Sequence, residues 1–209
     1  LADCADPLSV GSRLPMRAAL FAALLALLPL APAAAPAPEA LLERLAARDF
    51  ASLGAALAGA RESEHELEAW RAFRAFSLPG ARTADIEAWL EAAPESYDAH
   101  LGAAMHYRGL GWYARGTAYG HETAPARHAD ARAQFTIALG LAQASLELDA
   151  RPFLSQALIL DLARHLPDTP GVDELYAAAL AARPRSVLLR AQRLDTLQPR
   201  WGGSLEEMG

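Results

Sequence analysis

The 209-residue chain predicts an all-α fold of antiparallel helix pairs, and three observations lead there. Only three Val and three Ile stand against long runs of Ala and Leu. Strands favour β-branched residues, whereas helices favour Ala, Leu, Arg and Glu. Apolar residues recur at three- and four-residue spacing between Pro and Gly punctuation, the mark of amphipathic helices. The hydrophobic fraction of 53% supplies apolar surface for a core, so a collagen-like or disordered chain is excluded.

The N-terminus reads as a targeting segment. Met16-Arg17, the apolar run from Ala18 to Leu30 and the small residues from Ala31 to Ala37 follow the order of a secretory leader. Residues 1–15 then form an upstream extension and 16–38 a signal peptide, cut near Ala33 to Ala37. Pro29, Pro32, Pro36 and Pro38 interrupt the run before the roughly 20 apolar residues that a membrane-spanning helix needs. The single cysteine, Cys4, precedes the apolar run, so no disulfide framework, thiolate zinc site or lipid-carrying cysteine is expected. The expected location is exported, periplasmic or secreted.

Residues 39–80 read as an N-terminal helical cap. Leu41, Leu42, Leu45 and Ala46 share one helix, and Phe50, Leu53 and Leu57 the next, with Asp49 as N-cap between them. Glu62 to Phe76 carries a stripe of Leu67, Trp70, Phe73 and Phe76 and ends at Pro79-Gly80; its alternating Glu62, Glu64, Glu66 and Glu68 read as a solvated face. Gly54 and Gly59 read as close-packing or capping residues.

Residues 81–209 read as the main helical domain. Thr83 is expected to cap a helix bearing Ile86, Trp89 and Leu90. Ser96 opens the next, with Tyr97, Leu101, Ala104 and Met105 inward, and this helix runs into a Gly/aromatic stretch from Tyr107 to Tyr119. The longest periodic segment, 124–148, has two apolar stripes, one through Phe135, Leu139, Ala142 and Leu146 and one through Ile137, Leu141 and Leu148. It is therefore expected to be buried on two sides as the central helix. Leu154, Leu158 and Leu162 follow the first-turn residue Pro152. Val172, Leu175, Tyr176, Ala179 and Leu180 follow Pro170-Gly171, and Val187, Ala191 and Leu194 form the last complete helix. Pro199 to Ser204 reads as the opening of another unit, with Ser204 as N-cap, which Gly209 cuts short.

Fragments of a repeat are visible, so the helix pairs read as a degenerate tetratricopeptide-like helical-repeat array. Ala179, Leu180 and Pro184 match the tail of a tetratricopeptide repeat, and Pro94, Tyr107 and Gly111 match its joint and following helix. A longer pattern runs through Trp89-Leu90, Pro94, Ser96-Tyr97, Ala99, Gly111-Trp112, Ala114-Arg115-Gly116, Thr123 and Pro199-Arg200-Trp201-Gly202-Gly203-Ser204. Over residues 40–209 it resembles a bacterial family known as domain of unknown function 4034. The resemblance implies a tetratricopeptide-like helical domain, often followed by further repeats, and no established activity.

Charge narrows the partners. Nineteen Arg without any Lys, against 25 acidic residues, give a net charge of −6, which offers phosphate backbones and anionic lipids no overall attraction. Nucleic acid and, after leader cleavage, membrane are not expected as partners; a protein or peptide is. The lack of Lys excludes P-loop and Schiff-base chemistry, and no cofactor is implied. Ser145 and Ser155 lie within periodic helices and no Gly-x-Ser-x-Gly turn exists, so no catalytic nucleophile is assigned.

Two constellations remain. Trp112 and Arg115, with Arg200 and Trp201, combine guanidinium and aromatic plane in a way suited to a carboxylate attached to an apolar group. The same residues can instead be core plugs and helix-end caps, with the neighbouring glycines as turns. The alternative is a metal-dependent or anion-binding enzyme using His121, Glu122, His128 and Arg115, with His100 and His106 approaching from the preceding helix. Its spacing is poor: His121 and His128 are seven residues apart across Pro125, not at the i, i+4 of a zinc helix. No metal site is assigned.

Overall fold

Pro38 occupies the first turn of α1 (Pro38–Ala46), where its missing N–H costs nothing, and Glu39 and Arg44 complement the helix dipole at the two ends. The computed structural model describes residues 36–62, 65–201 and 204–206, excepting the side chains of His121 and Arg200. The upstream extension, Cys4 and the leader up to residue 35 lie outside the described residues, as do Glu64, Gly202 and Gly203.

Nine α-helices follow one another, with no strand among the described residues. After α1 come α2 (Phe50–Glu62) and α3 (Glu66–Arg74), the latter continued by a 3-10 turn at Ala75–Ser77. Then come α4 (Thr83–Ala92), α5 (Tyr97–Arg115), α6 (Pro125–Leu146), α7 (Phe153–Ala163), α8 (Val172–Ala182) and α9 (Val187–Thr196). Further 3-10 turns stand at Gly120–Glu122 and Pro199–Trp201. No helix among the described residues is long and apolar enough to cross a membrane.

Some caps match the sequence pattern. Asp49 accepts from Ser52 N at 3.2 Å and Ser96 accepts from Ala99 N at 3.2 Å, each satisfying a first-turn amide. Thr83 does not cap. It is the first residue of α4, after Arg82 as N-cap, and its hydroxyl instead donates to His106 Nε2 at 2.9 Å. His106 Nδ1–H donates to the Phe76 carbonyl at 3.2 Å, so this histidine, 2% exposed, is a satisfied core residue. Burial holds its pKa below the ordinary value.

One hydrophobic cluster runs from Leu41 to Leu189, so residues 39–80 and those after them contribute to the same core. Its centre is α7, not α6. Every residue of α7 except Gln156 is buried, because Phe153, Leu154, Ala157, Leu158, Ile159, Leu160 and Leu162 leave it apolar on all sides. In α6 one stripe, Ala131, Phe135, Ala138, Ala142 and Ser145, is buried; of the second, Leu141 and Leu148 pack half-buried against the core and Ile137 is 43% exposed. The polar side chains Arg132, Gln134, Thr136 and Gln143 give α6 a solvent side. Ser145 Oγ donates to the Ala142 carbonyl at 2.6 Å and accepts from Ser155 Oγ at 2.6 Å, fully buried and closed to substrate. No atom would lie within 4 Å of a Cβ at Gly54 or Gly59, so neither is a close-packing residue.

The acidic run also differs from the expected solvated face. Glu62 ends α2, while Glu66 opens α3 and reaches 121 residues along the chain. Its Oε1 accepts from Val187 N at 2.7 Å and Leu188 N at 2.8 Å, beside Ser186, which accepts from Leu189 N. Two side chains thus satisfy three first-turn amides of α9. Glu66→Ala is expected to lower stability by about 1 kcal/mol, and Glu66→Gln, which keeps an acceptor, by less. Urea midpoints compared across the two variants check this; equal losses would show that the cap is not what Glu66 contributes.

Candidate functional site

The Gly/aromatic stretch ends α5 and turns the chain into α6. Gly116 takes φ +75° and ψ −169°, a conformation that residues with a side chain resist, and a Cβ there would meet Arg127 Nη2 at 2.7 Å. Arg127 stands there because its guanidinium donates to the carbonyls of Ala114 (2.8 Å) and Tyr113 (3.3 Å), which the helix end leaves open. One helical turn earlier, Gly111 leaves room for Phe135, whose ring would lie 2.5 Å from a Cβ. Close approach of α5 and α6 therefore sets Trp112 edge-on to Phe135, with centroids 6.0 Å apart.

Residues just beyond α7 complete an aromatic floor. His165 stacks on Phe135 at 4.4 Å and 14°, and meets Trp112 (4.7 Å) and Trp201 (4.9 Å) at steep angles. The Arg164 guanidinium lies 5.8 Å from the rings of both tryptophans, and that of Arg115 lies 5.7 Å from Trp112. Above this floor opens a cleft of about 630 Å³, walled by the 117–120 segment, His128, Ala131 and Arg132. Among the described residues three arginines and two histidines line it, and no carboxylate does.

The three guanidiniums are not equivalent. Arg164 is spent within the protein: it donates to Asp161 at 2.5 Å, to Asp195 at 2.9 Å and through Nε to His165 Nε2 at 3.1 Å. Arg115 uses Nη1 alone, on the Gly116 and Ala118 carbonyls at 3.2 Å each. Arg132 is exposed, and its guanidinium meets no acceptor among the described residues.

Accepting from Arg164 places the His165 proton on Nδ1. Burial, reinforced by the neighbouring Arg164, pulls its pKa down to about 4, against the opposing effect of Asp161. The native imidazole is therefore neutral at pH 7. The unfolded chain takes up this proton near pH 6.5 and the native chain only near 4, so stability is lost as pH falls through that window. In an imidazole NMR titration from pH 8 to pH 5, His165 is expected to stay unshifted; a midpoint above 6 would contradict this environment.

Of the four residues read as a binding set, the fold brings Trp112, Arg115 and Trp201 into this cleft, and the Arg200 side chain lies outside the described atoms. Arg115 also serves the bland role of satisfying carbonyls at a helix end. Of the alternative set, His128 lines the cleft and donates from Nε2 to the Gly120 carbonyl at 3.1 Å. Glu122 stands on the 3-10 turn, outside the lining, and the His121 side chain is not described. His100 Nδ1–H is turned to the Ser96 carbonyl and His106 is buried and not part of the cleft lining, so neither joins the others. Among the described residues no group of three His, Cys, Asp or Glu side chains is placed to hold a metal ion. Arg132, Phe135, Arg164 and His165 are site residues that the sequence reading missed. The i, i+3 spacing of Asp161 and Arg164 at the end of an otherwise apolar helix was the available signal.

The helices and this cleft define an all-α domain whose polar chemistry is carried by arginine. The chain belongs to the family described as domain of unknown function DUF4034, whose model matches residues 49–171. That span includes Trp112, Arg115, Arg132, Arg164 and His165, while Trp201 lies beyond it. No curated protein and no solved structure matches the chain.

Proposed function

We propose that this chain is an exported, non-enzymatic helical scaffold, tetratricopeptide-like in the stacking of its helix pairs, that binds an acidic segment of a protein or peptide in the Trp112/Arg115/Trp201 cleft. The observation that carries this reading is the lining: arginine and histidine without a carboxylate among the described residues, in a chain of net charge −6. Such local inversion of charge attracts an anionic group that the rest of the surface repels. Arginine suits a carboxylate because its planar fork donates two parallel hydrogen bonds. The cleft volume falls within the range of about 300–1,000 Å³ typical of ligand sites. The leader pattern of residues 16–38 supports export.

Capture from an envelope extract tests the reading, with the tagged chain run beside an Arg115→Gln, Arg132→Gln double variant. Proteins retained by the parent are expected to elute at moderate salt and to be lost from the variant. Retention unchanged by both substitutions would reject the cleft as the binding site.

A further inference from the structure

We infer that the ligand segment pairs a carboxylate with an aromatic side chain next to it, the carboxylate held between Arg115 and Arg132 and the ring laid on the Trp112/Trp201 floor. This rests on the reading of the cleft as an acidic-segment site and narrows its ligand. The two halves follow from different features. Arg164 is already neutralised by Asp161 and Asp195, so it serves the floor and not the ligand's charge. The cationic capacity left over belongs to Arg115, whose Nη1 alone is engaged by the described residues, and to Arg132, which engages none. Both lie on the same cleft, with Arg115 at the end of α5 and Arg132 in α6.

The aromatic half comes from the floor and the rim. Trp112, His165 and Trp201 are only half-buried, so each presents part of a ring to the cleft. His165 is neutral, so the floor does not present a fixed charge of its own at that point. Tyr119 stands 74% exposed on the wall formed by the connection between α5 and α6. Rings that flank a vacant volume favour another ring, in offset or edge-to-face contact, over a small hydrated anion. Inorganic phosphate would use the arginines and leave the floor wet.

The test is tryptophan emission of the full chain titrated with blocked tetrapeptides. Trp112 and Trp201 line the cleft, whereas Trp70 and Trp89 are 6% and 1% exposed; because Trp112 also borders a second hollow and Trp201 a third, the Arg132→Gln variant ties the change to the cleft. The probes are acetyl-Gly-Glu-Phe-Gly-amide, its Glu→Gln and Phe→Ala counterparts, the reversed order Phe-Glu, and inorganic phosphate. One of the Glu/Phe orders is expected to bind at least about tenfold more tightly than either counterpart and than phosphate. Arg132→Gln, an exposed change that spares the fold, is expected to remove the preference for Glu over Gln and keep that for Phe over Ala. If the Phe→Ala peptide binds as well as its parent, the aromatic half is overturned while the acidic-segment reading stands. If the Glu→Gln peptide binds as well, or no peptide binds, both are overturned; phosphate binding as tightly as the peptides overturns the inference by making the cleft a simple anion site.

Discussion

Asp161→Ala is expected to cost about 3–5 kcal/mol, a large share of the stability of an ordinary domain. Asp161 is 1% exposed and is the one charge on the otherwise apolar α7. It accepts from both Arg108 and Arg164, which are themselves nearly enclosed, with side chains 11% and 10% exposed. Burial alone would push its pKa up; the two guanidiniums outweigh this and hold it below the ordinary value. Its contribution is therefore present above the ordinary carboxylate range and lost as pH falls below it.

Removing the carboxylate leaves two cations facing each other in a low-dielectric interior, which is worse than never having had the group. The double variant Asp161→Leu, Arg108→Met is accordingly expected to lose less than Asp161→Ala alone, because Arg164 keeps Asp195. Guanidinium-chloride unfolding of the three chains decides the matter. A double variant as unstable as Asp161→Ala would mean that the stranded cations are not what sets the cost.

Trp89→Ala is the second large expected loss, again about 3–5 kcal/mol. The indole is 1% exposed, stacks on Phe50 (6.4 Å) and packs tilted at 47° against Phe76 (5.4 Å), and Gly102 leaves the space it fills, since a Cβ there would lie 2.5 Å from the ring. It therefore joins α2, the turn after α3, α4 and α5 at one point. Trp89→Phe is expected to recover part of the loss, as a smaller cavity remains. Thermal midpoints of the two variants measure the difference, and equal midpoints would show that the cavity is not what sets the cost.

Helix positions were largely legible because Ala, Leu and the Pro/Gly punctuation state them locally. Asp49 and Ser96 were readable as caps for the same reason. What failed were choices that depend on the partners a helix finds. Periodicity gave α6 two stripes, yet no neighbour among the described residues covers Ile137. Conversely, the continuous run Leu158-Ile159-Leu160 already states burial on every side and outweighs the longer helix beside it. Thr83 and Glu66 carried the right residue types for local capping, but both bond at long range, 23 and 121 residues away. The cleft was half legible: Trp112, Arg115 and Trp201 stood out as motif residues, whereas Arg132, Arg164 and His165 acquire meaning only when α6 and the end of α7 fold beside α5.

The all-round enclosure of α7 sets the order in which the protein can come apart. A segment that turns only Gln156 partly outward cannot fray to solvent while its surroundings persist, so its amides should exchange with deuterium only through global opening. The peripheral α8, with Ala179 as its one buried residue, should exchange through small local excursions. A trace of exchange rates along the chain would then rise steeply from one helix to the next, across the few residues that separate the slowest-breathing part of the molecule from one of its fastest.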